Sequence, residues 1–234
     1  MTQGAATLVL LSYDERDALA QLIPRIPFAL FDAVMAIDGG STDGTLDVYD
    51  THAIRYVLQD ARGRGRAFLQ AAALVDTEHV VFFSTDGNED PADLPKLLRY
   101  LREGFDLVIA GRFVLPGAST DNSDDPLRIR KLGSMAYSLI VRIIWRSGVW
   151  DACNGYRGFK VAAMRRMQLD APLHEIEVQS TIRAAKLGMK VKEFGTHELR
   201  RLAGEHKQTA NTLTLAWRTG LFIARELVPQ RFRW

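Results

Sequence analysis

Cysteine and long apolar segments are scarce in this chain. Cys153 is its only cysteine, so intrachain disulfides and zinc or iron–sulfur sites built from several cysteines are excluded. We expect Cys153 to be a buried, unreactive thiol. Arg142 interrupts the run from Met135 to Trp145, and no run reaches the roughly 18 apolar residues that span a membrane. The amino terminus lacks a basic region followed by an apolar stretch, so no signal peptide is expected.

A strong excess of charge of either sign is lacking too. The formal net charge of the 234 residues is +2, which is too small to predict a nucleic acid partner. With 47% hydrophobic and 25% charged residues, the composition fits one compact α/β domain. We therefore expect a cytoplasmic protein that is soluble or peripheral at the cytoplasmic face of a membrane.

Strand-like and helix-like patterns alternate along the first half of the chain. The predicted strands are 7–11, 33–38, 54–58, 79–84 and 107–111, and the predicted helices are 14–23, 44–51, 64–75 and 91–102. This alternation is typical of parallel βαβ units. The sequence thus predicts an α/β fold with a mostly parallel, Rossmann-like central sheet.

The second half follows a different pattern. A polar stretch at 116–126 predicts a mobile, functional loop. After it come predicted helices at 127–145 and 174–187, a strand at 190–195 and a terminal helix at 209–228. We divide the chain into a domain, residues 1–208, and a carboxyl-terminal amphipathic helix with its tail, residues 209–234.

An apolar run at 80–83 leads into a cluster of oxygen-bearing side chains, which are Ser84, Asp86, Asn88, Glu89 and Asp90. Such a run predicts a buried strand whose polar end lies at the carboxyl edge of a sheet, where α/β folds bind ligands. Asp90 precedes Pro91, an order typical of a helix start, so we interpret Asp90 as a cap. The cluster as a whole predicts a site for a metal ion and phosphate.

A second polar cluster, residues 37–45, stands where the second strand should end. Its glycines allow the backbone to turn tightly near a ligand, and Asp38 can accept hydrogen bonds from a base or ribose. The alternative is an ordinary turn in which Ser41 or Asp43 caps the next helix. We favour capping for Asp43 and ligand contact for Asp38.

Nine short motifs follow one another along the chain: LSYDE at 11–15, DGGSTDGT at 38–45, GRGRA at 63–67, DGNEDP at 86–91, GR at 111–112, Arg130 with Ser134, DACNGYRGF at 151–159, EIE at 175–177 and RLAGEHK at 201–207. In this order they resemble the motifs of family 2 glycosyltransferases with the GT-A fold. Within that family the resemblance is to dolichol- or polyprenyl-phosphate sugar synthases, including mannose synthases.

The resemblance implies a divalent cation, Mg²⁺ or Mn²⁺, held against the diphosphate of a sugar donor. Asp86 inherits the main ligand role, and Asn88 stands where a further oxygen ligand is expected. Ser84 replaces the usual first aspartate of the motif, so we expect a lower metal affinity than two carboxylates give. The cation would offset charge that develops on the departing nucleoside diphosphate.

The resemblance also implies the substrate-binding residues. It places Ser12, Tyr13, Glu15 and Asp38 around the base and ribose of a GDP- or UDP-sugar, although Tyr13 and Glu15 could instead simply begin the first helix. Guanidinium groups suit phosphate oxygens because they bind them bidentately. The residues implied to face the donor or acceptor are Arg64, Asp86, Arg112, Arg130, Ser134, Arg157, Glu177, Arg201 and Lys207, of which Asp86, Arg112, Arg130 and Arg201 form the catalytic set.

The implied reaction inverts the anomeric carbon. A lipid phosphate is already anionic and needs only positioning by arginines, whereas a hydroxyl acceptor needs a general base. Glu175, Glu177 and Asp151 are the candidates for that base, and pairing with an arginine is the alternative role of each.

Apolar residues recur at helical spacing in the terminal helix, flanked by two arginines: Leu213, Trp217, Leu221, Ala224 and Val228, with Arg218 and Arg225. Such a helix suits contact with a membrane surface. Packing on the domain or on a second copy of the chain is the alternative.

We therefore expect an inverting, metal-dependent glycosyltransferase whose acceptor is a polyprenyl phosphate, such as dolichyl or undecaprenyl phosphate. Transfer to a hydroxyl group of a polysaccharide or glycolipid is one alternative, and a non-catalytic subunit that binds a nucleotide-sugar is another. A nucleotidyltransferase is disfavoured, because its glycine-rich, basic signature is missing near Leu11.

Overall fold

A seven-stranded sheet organises the part of the chain that the computed structural model describes, residues 4–114, 129–203 and 212–228. The predicted loop at 116–126, Lys207 and the side chain of Leu213 lie outside the described residues. The strands are β1 Ala6–Ser12, β2 Ala33–Asp38, β3 Arg55–Leu58, β4 His79–Ser84, β5 Leu107–Gly111, β6 Arg157–Lys160 and β7 Val191–Gly195.

The order of the strands across the sheet is β3-β2-β1-β4-β6-β5-β7. All neighbours run parallel except β6, which is antiparallel to both β4 and β5. Strands β2 and β3 extend the sheet on one side of β1, and strands β4 to β7 extend it on the other side. The predicted α/β fold with a mostly parallel sheet is confirmed.

Helices cover both faces of this sheet. They are α1 Arg16–Leu22, α2 Thr45–Thr51, α3 Arg64–Leu74, α4 Leu94–Arg102, α5 Ile129–Trp145, α6 Val161–Arg166, α7 Glu175–Lys186 and α8 Thr212–Leu227. A short 3-10 turn, Pro91–Asp93, precedes α4, and Asp90 caps it by accepting a hydrogen bond from the amide of Ala92. The predicted cap is therefore confirmed.

The core lies on both sides of the central strands. On one face, Phe68 of α3 stacks on Phe82 of β4 with ring centroids 3.8 Å apart, and Phe159 meets both rings edge-on. On the other face, Leu19 of α1 and Leu97 of α4 belong to a second buried cluster. Because both faces are covered, β1 and β4 are continuous apolar runs instead of alternating ones.

The sequence did not predict β6 or α6. Strand β6 has only four residues and begins with Arg157 and Gly158, neither of which favours a strand. Tertiary packing favours a small residue there, because a Cβ at Gly158 would lie 2.8 Å from Leu101 Cδ1 of α4 and 3.2 Å from the Val80 carbonyl oxygen. Its place in the sheet therefore follows from contacts that are distant in sequence.

Helix α8 packs against α5 and α7. Glu226 of α8 accepts hydrogen bonds from Arg183 Nε (3.0 Å) and Lys186 Nζ (2.8 Å), and the Tyr137 hydroxyl of α5 donates to the Ala216 carbonyl (2.7 Å). One face of α8 thus packs on the domain. No helix within the described ranges is long and apolar enough to cross a membrane.

Candidate active site

A crevice opens at the carboxyl ends of β1 and β4, where the direction in which strands are added reverses. Open α/β sheets bind their ligands at this point. The crevice has a volume of about 230 Å³. It brings together seven of the predicted site residues, which are Ser12, Tyr13, Glu15, Arg64, Ser84, Asp86 and Arg201.

Arg201 joins two acids across this crevice. Its Nη1 donates to Glu15 Oε1 at 2.7 Å, and its Nη2 donates to Asp86 Oδ2 at 3.2 Å. Glu15 follows β1 and Asp86 follows β4, whereas Arg201 comes from the segment after β7. The arginine therefore links the amino-terminal and carboxyl-terminal parts of the site.

Gly87 allows the Arg201 segment to approach the acidic turn. It has a φ of +94°, a conformation that favours glycine. A Cβ at this position would lie 2.6 Å from Leu202 Cγ, and the Leu202 amide donates to the Asp86 carbonyl at 3.1 Å. A side chain at position 87 would therefore force Leu202, the neighbour of Arg201, to shift.

Asp38 shapes the loop after β2, and its contact with a ligand stays a prediction. Its buried carboxylate accepts hydrogen bonds from the hydroxyl groups of Ser12 and Ser41 and from the amides of Gly40 and Ser41. These four bonds match the roughly four acceptor positions of a carboxylate. Asp43 accepts from the amide of Thr45, the first residue of α2, but the N-cap position is held by Gly44, so Asp43 bonds the start of the helix without being its cap residue.

Arg64 stands at the start of α3 with three oxygen-bearing neighbours. Nε donates to Glu177 Oε1 at 2.7 Å, Nη1 donates to Ser84 Oγ at 2.8 Å, and Nη2 lies 3.5 Å from Glu89 Oε1. Burial opposes the guanidinium charge, but the two carboxylates outweigh it and raise the pKa of Arg64. A Cβ at Gly155 would clash with the guanidinium, which explains the glycine there.

Glu89 folds back over the end of β4. Its Oε2 accepts a hydrogen bond from the Ser84 amide at 2.7 Å. Burial raises the pKa of this carboxyl from 4.5 to about 7, although nearby Arg64 opposes the shift. Glu89 therefore supplies a carboxyl group beside Ser84, where the family usually has an aspartate.

We expect Glu89→Gln to flatten the pH dependence of stability. Between the unfolded pKa of 4.5 and the folded pKa of about 7, the folded protein binds more protons than the unfolded chain. The free energy of unfolding of the wild type should therefore fall as the pH rises through this window, by up to about 3 kcal/mol for this group. Urea unfolding of both proteins across the window measures the difference.

The control for this experiment is Glu103→Gln. Glu103 is exposed, so its replacement should leave the pH profile parallel to that of the wild type. A Glu89→Gln profile that is also parallel to the wild type would contradict the raised pKa.

The oxygen ligands at the end of β4 fit a divalent cation in part. Asp86 lines the crevice, and no described residue donates to the buried Oδ1 of Asn88. Ser84 Oγ already accepts from Arg64. No cluster of three or more acidic, histidine or cysteine ligands occurs in the described part of the chain. Mg²⁺ is commonly held by one or two carboxylates together with substrate phosphates and water, so Asp86 and Asn88 suit an ion that a diphosphate helps to bind.

Arg112 binds Asp151 and does not line the crevice. Its backbone N and its Nε donate to Asp151 Oδ2 at 3.0 and 2.8 Å, and Nη2 donates to Oδ1 at 3.1 Å. Burial opposes the charge, but Asp151 raises the pKa of Arg112 above its usual range. Of the two roles considered for Asp151, the structure places it as an arginine partner.

Arg130 and Ser134 lie on α5, outside the crevice lining. The carbonyl of Ser134 accepts a hydrogen bond from the Cys153 thiol, with 3.7 Å between sulfur and oxygen. Cys153 is partly buried and not fully buried as expected. Desolvation of the thiol raises its pKa to about 12, so the reactive thiolate is scarce at neutral pH.

Arg157 is a correction, because its side chain is a structural element of the sheet. It has no exposed surface, and its guanidinium donates to the carbonyls of Ala152, Asn154 and Glu177 and to the Ser180 hydroxyl. Burial lowers its pKa to about 10. With its donors directed at the protein, Arg157 does not face a phosphate.

The two glutamates of α7 are paired with arginines. Glu175 Oε1 accepts from Arg218 Nε at 2.8 Å, and Glu177 Oε1 accepts from Arg64 Nε. Both side chains are almost fully buried. This geometry matches the alternative role considered for them, and their use as a general base stays a prediction.

Gln59, Arg62 and His174 are among the crevice residues that escaped the sequence analysis. The guanidinium of Arg62 lies 4.3 Å from the centre of the Tyr13 ring. Gln59 and Arg62 follow β3, so their position after a parallel strand was a usable signal. His174 precedes α7 and carried no comparable signal.

The sequence model of "Glycosyl transferase family 2" matches residues 7–167. The chain is 30% identical to Glycosyltransferase AglJ of Haloferax volcanii over 192 residues, 81% of this chain and 61% of that protein, so it spans less than two thirds of this relative. It is also 30% identical to the undecaprenyl-phosphate mannosyltransferase of Micrococcus luteus over 213 residues, 85% of each protein.

A solved structure shares the fold. Glucosyl-3-phosphoglycerate synthase from Mycobacterium tuberculosis, in complex with Mn²⁺, UDP and glucosyl-3-phosphoglycerate, superimposes with a TM-score of 0.74 at 20% identity, covering 97% of this chain and 81% of that one. The family match over most of the chain and the shared architecture together show that the chain belongs to glycosyl transferase family 2 and is a glycosyltransferase of the GT-A fold.

Proposed function

We propose that the chain transfers a sugar, with inversion, from a GDP- or UDP-sugar to a polyprenyl phosphate. The pairing of the crevice acids carries this proposal: Glu15 and Asp86 line the crevice, and both form ion pairs with Arg201. Arg64 lines it as well. The described part of the crevice thus offers guanidinium groups for phosphate and no carboxylate away from an arginine, which favours an acceptor that is already anionic.

The relatives support the two substrates. The protein of Micrococcus luteus that matches along 85% of both chains is named an undecaprenyl-phosphate mannosyltransferase. The mycobacterial synthase that shares the fold was solved with UDP and Mn²⁺. These names favour a lipid phosphate as the acceptor and a nucleoside-diphosphate sugar as the donor. They also favour a divalent cation that binds together with the donor.

The proposal gives roles to several side chains in and beside the crevice. Tyr13 offers a ring face to the base, and the loop that Asp38 holds borders the same space. Arg64 and Arg201 bind phosphate oxygens. Arg201 does so by giving up one of its carboxylate partners, Glu15 or Asp86. Asp86 and Asn88 would hold Mg²⁺ or Mn²⁺, and such an ion neutralises charge on the leaving diphosphate.

A pair of acceptors that differ only in the phosphate tests the function. A thermal-shift screen with GDP-, UDP-, dTDP- and CDP-sugars, with and without Mn²⁺, first identifies the donor, because a ligand of the folded state raises its melting temperature. Release of nucleoside diphosphate is then measured with a polyprenyl phosphate and with the matching polyprenol. We expect release with the phosphate and none with the alcohol.

The alternatives give other results. Equal release with the alcohol, or release with a polysaccharide or glycolipid acceptor, would indicate a hydroxyl acceptor. Donor binding without release of nucleoside diphosphate in the presence of any acceptor would indicate a non-catalytic subunit.

We further propose that the protein works at the cytoplasmic face of a membrane. A division into a domain of residues 1–208 and a carboxyl-terminal helix is compatible with this location. That the protein forms a homodimer stays a prediction.

A further inference from the structure

The outward faces of α5 and α8 are apolar. Most of the large hydrophobic side chains that are exposed in the described residues lie on these two helices. On α5 they recur at helical spacing: Leu132, Met135, Leu139, Ile140, Ile143 and Ile144. Ile143 is 66% exposed, and on α8 Trp217 is 69% exposed. Exposed apolar surface concentrated in this way marks a site of interaction.

The charged residues of these two helices are almost all basic, although Arg218 and Arg225 of α8 form ion pairs with Glu175 and Asp170. Helix α5 contains no acidic residue, and α8 contains only Glu226, which is 1% exposed and bound to Arg183 and Lys186. At the end of α5, the Arg142 guanidinium stacks 3.6 Å from the centre of the exposed Trp150 ring. Apolar residues with a basic border suit a surface that is both apolar and anionic.

The two helices also lie next to each other and near the crevice. The Tyr137 hydroxyl of α5 bonds the Ala216 carbonyl of α8. Arg218 of α8 binds Glu175 at the start of α7, and the preceding residue, His174, lines the crevice. The apolar face of α8, where Trp217 precedes Arg218, is therefore connected to the wall of the candidate active site.

We infer that α5 and α8 together form a docking surface for an anionic lipid bilayer, with α5 contributing most of its apolar area. The inference rests on the proposed function, since a polyprenyl phosphate is presented at a bilayer. It differs from an anchor made of the terminal helix alone. A second copy of the chain fits less well, because it would place two apolar faces that both have a basic border, including Arg142 and Arg146, against each other.

Vesicle co-sedimentation of the full chain tests the inference without any sugar donor. Phosphatidylcholine vesicles are compared with vesicles that also contain phosphatidylglycerol. We expect the wild type to sediment with the anionic vesicles and to be released by salt. The double change Leu139→Gln with Ile143→Gln should reduce the coefficient for partition onto vesicles by about tenfold or more, because each change removes apolar surface from the bilayer. Trp217→Gln should reduce the same coefficient by a smaller factor.

Leu74→Gln is the matched control. Leu74 is exposed at the end of α3, away from α5 and α8, so its change should leave sedimentation unaltered. The inference would be overturned if the wild type stayed in solution with anionic vesicles. It would also be overturned if Leu74→Gln lost as much vesicle binding as the α5 variant. Self-association of the wild type that the α5 change abolishes, without vesicle binding, would assign the face to a second copy instead.

The experiments can reject the docking surface and the proposed function independently of each other. Donor binding in the thermal-shift screen should be the same for the wild type and the α5 variant, because the changed residues do not line the crevice. Donor binding and transfer to a short, water-soluble polyprenyl phosphate without vesicle binding would reject the docking surface alone. Vesicle binding without transfer to any acceptor would reject the proposed function alone.

Discussion

Release of nucleoside diphosphate should fall by about a hundredfold or more when Asp86 is replaced with alanine. Asp86 is the only carboxylate among Ser84, Asp86 and Asn88, so the change removes the one charged ligand proposed for the cation. Metal ions contribute several kcal/mol of transition-state stabilisation, and each 1.36 kcal/mol corresponds to about a tenfold change in rate. The rate of release at high Mn²⁺ concentration measures this effect.

The Asp86 variants also separate two roles of this side chain. Alanine breaks the ion pair with Arg201, but Arg201 keeps its bond to Glu15. Asp86→Asn retains the shape and can still meet Arg201, so a similar loss of rate with asparagine would trace the effect to the cation. The affinity for Mn²⁺ in the presence of the nucleoside diphosphate, measured by calorimetry, should fall in both variants.

Asp50→Ala is the control for Asp86→Ala. Asp50 is exposed on α2 and does not line the crevice, so its removal should leave the rate and the Mn²⁺ affinity unchanged. An Asp86→Ala protein that keeps both properties of the wild type would show that the cation, if used, is held elsewhere.

Replacing Arg157 with methionine should destabilise the fold by at least about 3 kcal/mol. The change removes the guanidinium donor of the Ala152 and Asn154 carbonyls and of the Ser180 hydroxyl, and each unsatisfied buried group costs about 1–3 kcal/mol. Because Arg157 lies on β6, the loss acts on the strand that joins β4 to β5. Urea unfolding followed by circular dichroism measures the change in free energy.

Arg99→Met provides the comparison for this result. Arg99 is 60% exposed on α4 and lies 3.6 Å from Glu103, so its replacement should change the free energy of unfolding by no more than about 0.5 kcal/mol. Arg157→Lys should fall between the two, since lysine keeps the charge but has fewer donors in another geometry. A loss of stability in Arg157→Met no larger than in Arg99→Met would contradict a structural role for Arg157.

Local features of the site were predictable from the sequence. The apolar run of β4 and its polar end depend on neighbouring residues, and so does the Asp90 cap before Pro91. A bond between Asp43 and the start of α2 was also predictable, because an aspartate near a helix start has a short-range partner, here the amide of Thr45, although Gly44 holds the N-cap position.

The partners of other individual side chains, whether near or distant in sequence, were not predictable. The sequence placed Arg157 and Asp38 among the ligand-binding residues, but a motif does not reveal whether a side chain turns toward a ligand or toward the protein. The carboxyl group of Glu89 lies beside Ser84 only because the turn after β4 folds back. Pairing of Arg201 with Asp86, 115 residues away, required the complete sheet.

The position of β6 has a consequence for how the protein is made on the ribosome. Strand β5 leaves the ribosome before both of its partners, because it pairs only with β6 and β7 among the described strands. Until residues 157–160 are synthesised, β5 has unpaired edges and no link to β4. Late pairing of this kind slows folding and exposes a strand to aggregation. The carboxyl-terminal half therefore completes the sheet, and the nascent chain needs protection during the interval.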